Sequence, residues 1–242
     1  MPIPERDAGL VMSADHRSFA RAGAALGVAI AALTLFMLPF AHHAATFGVR
    51  GLTGHLASPT YLHVAGAWLS NASVFAHMVA GAVVTAFAPL QLVAWVRSRR
   101  PAFHRVSGYV VGVCAIFAAA AGLGFIALRG TIGGPAMDAG FAGYGVCLAA
   151  AALQTLRFAR KGVRDRHRAW AIRLFVLVIG SWIYRLHYTL WFLITGGLGS
   201  TPDFSGPFDR IQNFAFYAPY LIAVEVWLRR RGRTAPHQAV GG

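Results

Sequence analysis

Six long apolar segments alternate with short polar segments along the chain, at roughly residues 22–41, 72–96, 106–128, 138–157, 169–195 and 211–228. A helix needs about 20 mostly apolar residues to cross the hydrocarbon core of a membrane. Isolated strands would leave backbone groups unsatisfied in lipid. The pattern therefore predicts an all-α fold, a polytopic membrane helix bundle with six transmembrane helices. The bundle occupies residues 22–228, between a leader (1–21) and a basic tail (229–242).

The composition supports an integral membrane protein. Apolar residues make up 57% of the chain and charged residues only 12%, whereas a soluble domain carries about 25% charged residues. The mean hydropathy is +0.55. Both cysteines, Cys114 and Cys147, lie in apolar stretches, which excludes a disulfide framework and a zinc-binding spacing.

The positive charges are concentrated in alternate connections between the predicted helices and in the two terminal segments. The net charge is +14, from 22 Lys and Arg against 8 Asp and Glu. Eighteen of these cations lie in the leader, the second and fourth connections and the tail, whereas the other three loops hold only Arg50, Arg129 and Arg210. Positive loops stay in the cytoplasm. We therefore expect both termini to be cytoplasmic, with anionic lipids of the cytoplasmic leaflet as partners and no nucleic acid.

The segments outside the predicted helices carry no pattern of a globular domain. The first helix has a long polar leader and lacks a small-residue cleavage site, so we expect it to be retained. The predicted outer loops are 42–71 and 196–210. Four histidines fall in the first of them, at spacings that match no metal site, and are interpreted as solvated: His42, His43, His55 and His63.

Ionisable residues inside a span mark function by default. His77 lies near the outer start of the second helix, above a stripe of small residues. It is interpreted either as a ligand to a flat cofactor or as an imidazole bonded to a backbone carbonyl. Arg185 has no acidic neighbour in sequence, so its partner is expected to be a group on another helix, a backbone carbonyl or a bound anion, and we favour the anion. His187 points away from Arg185 and belongs to the outer aromatic belt, and Glu225 is four residues from Arg229, a spacing that allows an ion pair.

Two His-Arg pairs open predicted helices on the cytoplasmic side. One is His104-Arg105, and the other is His167-Arg168, followed by Arg173. Helix N-termini and arginines both favour anions, so these turns indicate a site for a lipid headgroup, a haem propionate or an anionic substrate. Ordinary interfacial anchoring is the alternative.

Several of these residues form motifs with a family resemblance. The motifs are His77 with a later Pro-x-Gln, His-Arg-x-x-Gly from His104, His-Arg-x-Trp-x-x-Arg from His167, a mid-helix Arg185, and a Val-Glu-x-Trp-Leu-Arg ending at Arg229. Over about residues 70–230 the chain resembles the bacterial predicted-membrane-protein family known as domain of unknown function 2306. Ala171 and Val224 depart from the pattern, which expects methionine and alanine there. The resemblance implies the fold and a membrane location but supplies no reaction.

Three functions remain open from the sequence. The first is a redox-linked bundle that binds haem b or a quinone, with His77, His104 and His167 as candidate iron ligands and the arginines Arg105, Arg168, Arg173 and Arg185 around the cofactor. The pair His104 and His167 is the better geometric choice for haem, because His167 and His187 lie about 30 Å apart along one helix. The second is a small-anion transporter, and the third is a non-enzymatic membrane assembly or lipid-binding factor. Whether the protein is an enzyme is left open.

Overall fold

The structure is a computed structural model that describes the backbone of residues 5–234 and the side chains of residues 25 and 27–231. This part of the chain is helical throughout, apart from short connections. The eight helices are α1 (Glu5–Thr53), α2 (Trp68–Leu92), α3 (Ala94–Arg99), α4 (Pro101–Arg129), α5 (Gly134–Arg160), α6 (Arg164–Thr195), α7 (Pro207–Ala215) and α8 (Ala218–Thr234). The all-α prediction is confirmed.

Five helices in the described part of the chain are long and apolar enough to cross a membrane. They are residues 27–53 of α1 together with α2, α4, α5 and α6. The predicted sixth span, 211–228, is divided between α7 and α8 near Phe216 and Tyr217, and α8 has 17 residues. The number of candidate spans is therefore five, because the last apolar segment does not form one continuous long helix.

Two predicted boundaries were wrong. The first helix continues to Thr53, so His42 and His43 lie on α1 rather than in an outer loop that begins at residue 42. Polar side chains interrupt the apolar pattern there, but the backbone hydrogen bonds of the helix continue through them. The second segment, predicted to reach residue 96, ends at Leu92, because Val93 adopts an extended conformation before the short α3 begins.

The core of the bundle depends on small residues. Ala115 and Ala119 of α4 and Ala151 and Ala152 of α5 are each at most 2% exposed. Small side chains let membrane helices approach closely, which increases van der Waals contact where lipid provides no hydrophobic drive between helices. A Cβ at Gly112 of α4 would lie 2.6 Å from the Leu156 side chain, so α5 packs directly against the backbone of α4.

The helices leave two distinct ends of the bundle. The arginine-rich end holds the turns between α2 and α4 and between α5 and α6. The loop end holds residues 54–67, 130–133 and 196–206. At the loop end Arg129 donates to the Leu62 carbonyl at 3.1 Å, to Ser70 Oγ at 2.7 Å and to Asn71 Oδ1 at 2.6 Å. One guanidinium therefore ties the end of α4 to the first loop and to the start of α2.

The last two helices run back along α6. At the loop end Tyr188 of α6 donates to Asp209 of α7 at 2.7 Å. Fifteen residues earlier in α6, about 22 Å away by helical rise, Arg173 donates its Nε to Glu225 of α8 at 3.0 Å. The expected ion pair between Glu225 and Arg229 is confirmed at 2.7 Å, with Arg173 as a second partner.

Asp209 organises the loop between α6 and α7. Its side chain is fully buried, and it accepts from Tyr188, from Ser200 Oγ at 2.8 Å, from the Thr201 amide at 2.9 Å and from the Gly206 amide at 3.0 Å. Burial opposes ionisation of this carboxyl, but these donors outweigh it and hold the pKa of Asp209 below its ordinary value. The ionised carboxylate is therefore the form that stabilises the loop.

We expect Asp209→Asn to destabilise the fold by about 2 kcal/mol, because hydrogen bonds to a buried charge are stronger than those to a neutral amide. Since the pKa is lowered on folding, the contribution of the carboxylate is complete above its unfolded pKa of about 4. It is lost as the pH falls through the lower pKa of the folded state. Unfolding free energies measured in detergent across this range test the expectation. The wild type should lose stability over that interval more steeply than the asparagine variant, and parallel curves would contradict the assignment.

Candidate functional site

A cavity of about 330 Å³ lies inside the bundle. Its wall comes from α1, α2, α4, α5 and α6, from the loop-end connections, and from Phe216 between α7 and α8. Most of the lining is apolar. Six of the lining residues are glycine or alanine, namely Ala44, Gly81, Ala118, Ala119, Gly122 and Gly145. An apolar cavity with a few converging polar groups is the usual form of a small-molecule site.

His77 of α2 is one of the polar groups on the cavity. Its Nδ1 donates to the Ala118 carbonyl of α4 at 2.7 Å, which supports the backbone-bonded interpretation of this residue. With the proton on Nδ1, the Nε2 atom keeps a free lone pair, and it makes no hydrogen bond within the described residues. The two interpretations are compatible, because a carbonyl bond at one ring nitrogen orients the other as an acceptor or a ligand.

A glycine makes room for this imidazole. A Cβ at Gly122 would lie 2.9 Å from His77 Nδ1 and 3.2 Å from Cε1. The ring therefore packs closely against the backbone of α4, one turn beyond the carbonyl to which it donates. His77 lies in the third turn of α2, deeper in the helix than the sequence indicated, because α2 starts at Trp68.

Arg185 of α6 is the second polar group on the cavity. It donates to the Ser181 carbonyl of its own helix at 2.8 Å, and its guanidinium lies 4.5 Å from the centre of the Phe40 ring of α1. Ion pairs of the described side chains join Glu225 to two arginines, and none of them involves Arg185. The cavity thus combines an imidazole acceptor with a cation that has no carboxylate partner.

Tyr184 connects the cavity to the loop end. It lines the cavity beside Arg185, and its hydroxyl donates to Tyr188 at 3.4 Å, which in turn donates to Asp209 at 2.7 Å. This chain of hydroxyl groups ends on a carboxylate buried in the protein. The sequence analysis did not identify Tyr184 or Asp209 as site residues. The one-turn spacing of the two tyrosines was the only signal available.

His187 lies away from the cavity, as its position on the helix predicted. Its Nδ1 bonds to Gln212 Oε1 at 3.1 Å, and its Nε2 accepts from the Tyr220 hydroxyl at 2.8 Å. Both ring nitrogens are therefore used in joining α6 to α7 and α8. This residue has a structural role.

The other two candidate histidines lie at the arginine-rich end. His104 is in the first turn of α4, and His167 is in the first turn of α6, where its Nδ1 donates to the Thr155 carbonyl at 3.1 Å. The two histidines open α4 and α6 at the same end of the bundle. His104 Nδ1 is buried and has no partner. Ala118, which faces His77, is fourteen residues further along α4, so these histidines are about 21 Å from His77 along the bundle.

The arginines of the two His-Arg motifs do not converge on one point. Arg105 and Arg168 are exposed. Arg173 is held by Glu225 and lies 4.8 Å from the centre of the Trp170 ring. Neither motif reaches the central cavity, and the described residues contain no group of three His, Cys, Asp or Glu side chains that could hold a metal ion.

The fold and the apolar wall of the cavity define a multi-pass helical membrane protein. A family model described as "Predicted membrane protein (DUF2306)" matches residues 74–204. The chain belongs to this family, and the resemblance seen in its His-Arg motifs is confirmed. No curated protein and no solved structure gives a match. The matched range includes His77, Gly122 and Arg185.

We expect Gly122→Ala to displace the His77 ring and to lower the stability by about 1–3 kcal/mol, the usual range for overpacking. Gly124→Ala is the matched control on the same helix, since the nearest atom to its Cβ would be Ser73 Oγ at 3.7 Å. That control should be neutral or stabilising by up to about 1 kcal/mol, because alanine favours a helix more than glycine does. Thermal unfolding in detergent compares the two, and equal midpoints would contradict the packing described for His77.

Proposed function

We propose that this membrane protein binds a lipid-soluble molecule of the quinone class in the central cavity and has a redox-linked role. The proposal rests on one observation, which is that His77 and Arg185 line the same apolar cavity. These two residues come from helices α2 and α6, which are far apart in sequence. An apolar ligand that carries only one polar end matches such a lining.

The polar groups match the oxygen atoms of a quinone ring. The free Nε2 of His77 accepts a hydrogen bond from a hydroxyl group, which the reduced ring carries. The N–H groups of Arg185 donate to a ring oxygen in either form, since the Ser181 carbonyl and the Phe40 ring occupy only part of the guanidinium. The aromatic side chains Phe141, Tyr144 and Phe216 in the wall suit a flat ring.

A haem b site at the arginine-rich end is the second candidate. The unpartnered Nδ1 of His104, at the same end of the bundle as His167, favours it, because imidazole nitrogens are good iron ligands. His77 does not belong to that site, since it lies about 21 Å away. A single histidine on the central cavity favours a quinone over a haem with two histidine ligands there.

We also propose that α7 and α8 together make a sixth crossing, with both termini in the cytoplasm of a bacterium and the protein in its inner membrane. The contacts of Asp209 and Glu225 at opposite ends of α6 support an antiparallel course for this segment. The distribution of arginines supports cytoplasmic termini. The division near Phe216 interrupts the crossing beside the cavity.

Topology reporters test the sixth crossing. With green fluorescent protein fused after residue 242, we expect a fluorescent product, since this reporter matures in the cytoplasm. With alkaline phosphatase fused after residue 205, we expect an active enzyme, since that reporter needs the periplasm. Two fusions that report the same side of the membrane would contradict a crossing by α7 and α8.

Binding of a tritiated decyl benzoquinone to the protein in nanodiscs tests the proposed function. We expect saturable binding that Arg185→Ala weakens by roughly 10-fold to 100-fold, as a lost hydrogen bond to a charged group does. His77→Ala should weaken binding of the reduced ligand more than that of the oxidised ligand, because only the hydroquinone donates to Nε2. Arg99→Ala and His63→Ala are controls of the same residue types outside the cavity.

Two other results would favour a different function. A haem b absorption spectrum that is lost in His104→Ala and His167→Ala would support the haem candidate. Anion flux into liposomes that is lost in Arg185→Ala, without saturable quinone binding, would favour a transporter instead.

A further inference from the structure

A second cavity, of about 470 Å³, lies at the arginine-rich end between α5 and α6. Four cations line it, two from each helix region: Arg157, Lys161, Arg166 and Arg173. Trp170 and Gln154 also line it. The two cavities have no lining residue in common. Arg157, Lys161 and Arg166 are exposed, as are Arg105 and Arg168 of the His-Arg motifs, which do not line this cavity.

Three of the four cations have no acidic partner. Arg173 is paired with Glu225, and no ion pair of the described side chains involves Arg157, Lys161 or Arg166. Arg157 and Arg166 flank the same ring, with their guanidinium carbons 5.9 Å and 5.5 Å from the centre of Phe158. Two like charges held around one phenyl ring repel each other, and an anion between the helices would relieve this repulsion.

A neutral polar group in the cavity indicates a ligand that carries a hydrogen-bond donor as well as a negative charge. The Oε1 atom of Gln154 is buried and has no hydrogen-bond partner. A buried acceptor without a partner is unfavourable, and a ligand hydroxyl that reaches this atom would supply the missing hydrogen bond. Trp170, stacked under Arg173, gives the wall an amphipathic ring of the kind that lies at membrane interfaces.

We propose that this cavity binds the headgroup of an anionic phospholipid that carries a free hydroxyl, of the phosphatidylglycerol class. The phosphate lies among Arg157, Lys161 and Arg166, and a glycerol hydroxyl donates to Gln154 Oε1. The acyl chains pass beside Trp170 into the membrane. Basic pockets between transmembrane helices bind lipid headgroups by the same charge-assisted hydrogen bonds.

Native mass spectrometry of the protein, released from membranes of mixed composition, tests this site. The lipids are phosphatidylglycerol, phosphatidylcholine and phosphatidylmethanol, the last having the same charge as phosphatidylglycerol but no headgroup hydroxyl. We expect the wild type to retain phosphatidylglycerol in preference to both others. The double variant Arg157→Gln and Arg166→Gln should reduce that retention by roughly 10-fold, as the loss of charge-assisted contacts does.

Two comparisons distinguish specific binding in this cavity from general electrostatic attraction to the basic surface. Arg99→Gln with Arg100→Gln removes equal charge at the same end of the bundle and should leave retention unchanged. Gln154→Leu should abolish the preference for phosphatidylglycerol over phosphatidylmethanol while both remain bound. Equal losses of phosphatidylglycerol retention in the two double variants would overturn the proposal. Displacement of the lipid by millimolar glycerol phosphate would also overturn it, because that result would identify a soluble phosphate ester as the ligand.

Discussion

Close contact between helix backbones is the constraint on which this structure depends. Lipid is as apolar as the side chains that face it, so helices associate through van der Waals packing, and Ala115, Ala119, Ala151 and Ala152 allow that packing along α4 and α5. The same choice of residues creates the central cavity. A Cβ at Gly81 would meet no atom within 4 Å, and the missing side chain of Gly122 leaves the space that the His77 ring occupies beside the cavity. The packing of the bundle and the volume of its cavity therefore share one origin.

Polar groups within the bundle follow a second constraint, since each must find a partner inside the protein. His187 satisfies it completely and serves as a connector between helices. His77 and Arg185 satisfy it only in part, because each uses one backbone carbonyl and keeps further capacity toward the cavity. This difference in remaining hydrogen-bond capacity, more than depth in the membrane, distinguishes a structural polar residue from a candidate ligand-binding one.

The sequence predicted what depends on local pattern. Apolar runs located the long helices, and the helical period correctly separated Arg185 from His187. The sequence did not predict that α1 extends to Thr53, because polar residues do not by themselves stop a helix. It also did not predict that the last span is divided, because an apolar run does not guarantee a continuous helix. The contacts that make the site were also beyond it. The fit of His77 against Gly122, the pairing of Arg173 with Glu225 and the burial of Asp209 join residues that are distant in sequence or lie in loops without periodicity.

Arg185 is a fixed positive charge about ten residues from the end of α6, which corresponds to about 15 Å along the helix axis. A charge at that depth lies within the electric field of an energised membrane. Moving one elementary charge through the whole field changes its free energy by about 2.3 kcal/mol for each 100 mV, and a partial crossing changes it in proportion. An anion that travelled from the nearer surface to Arg185 would therefore bind with an affinity that depends on the membrane voltage. A neutral molecule held by the same guanidinium does not sense the voltage in this way.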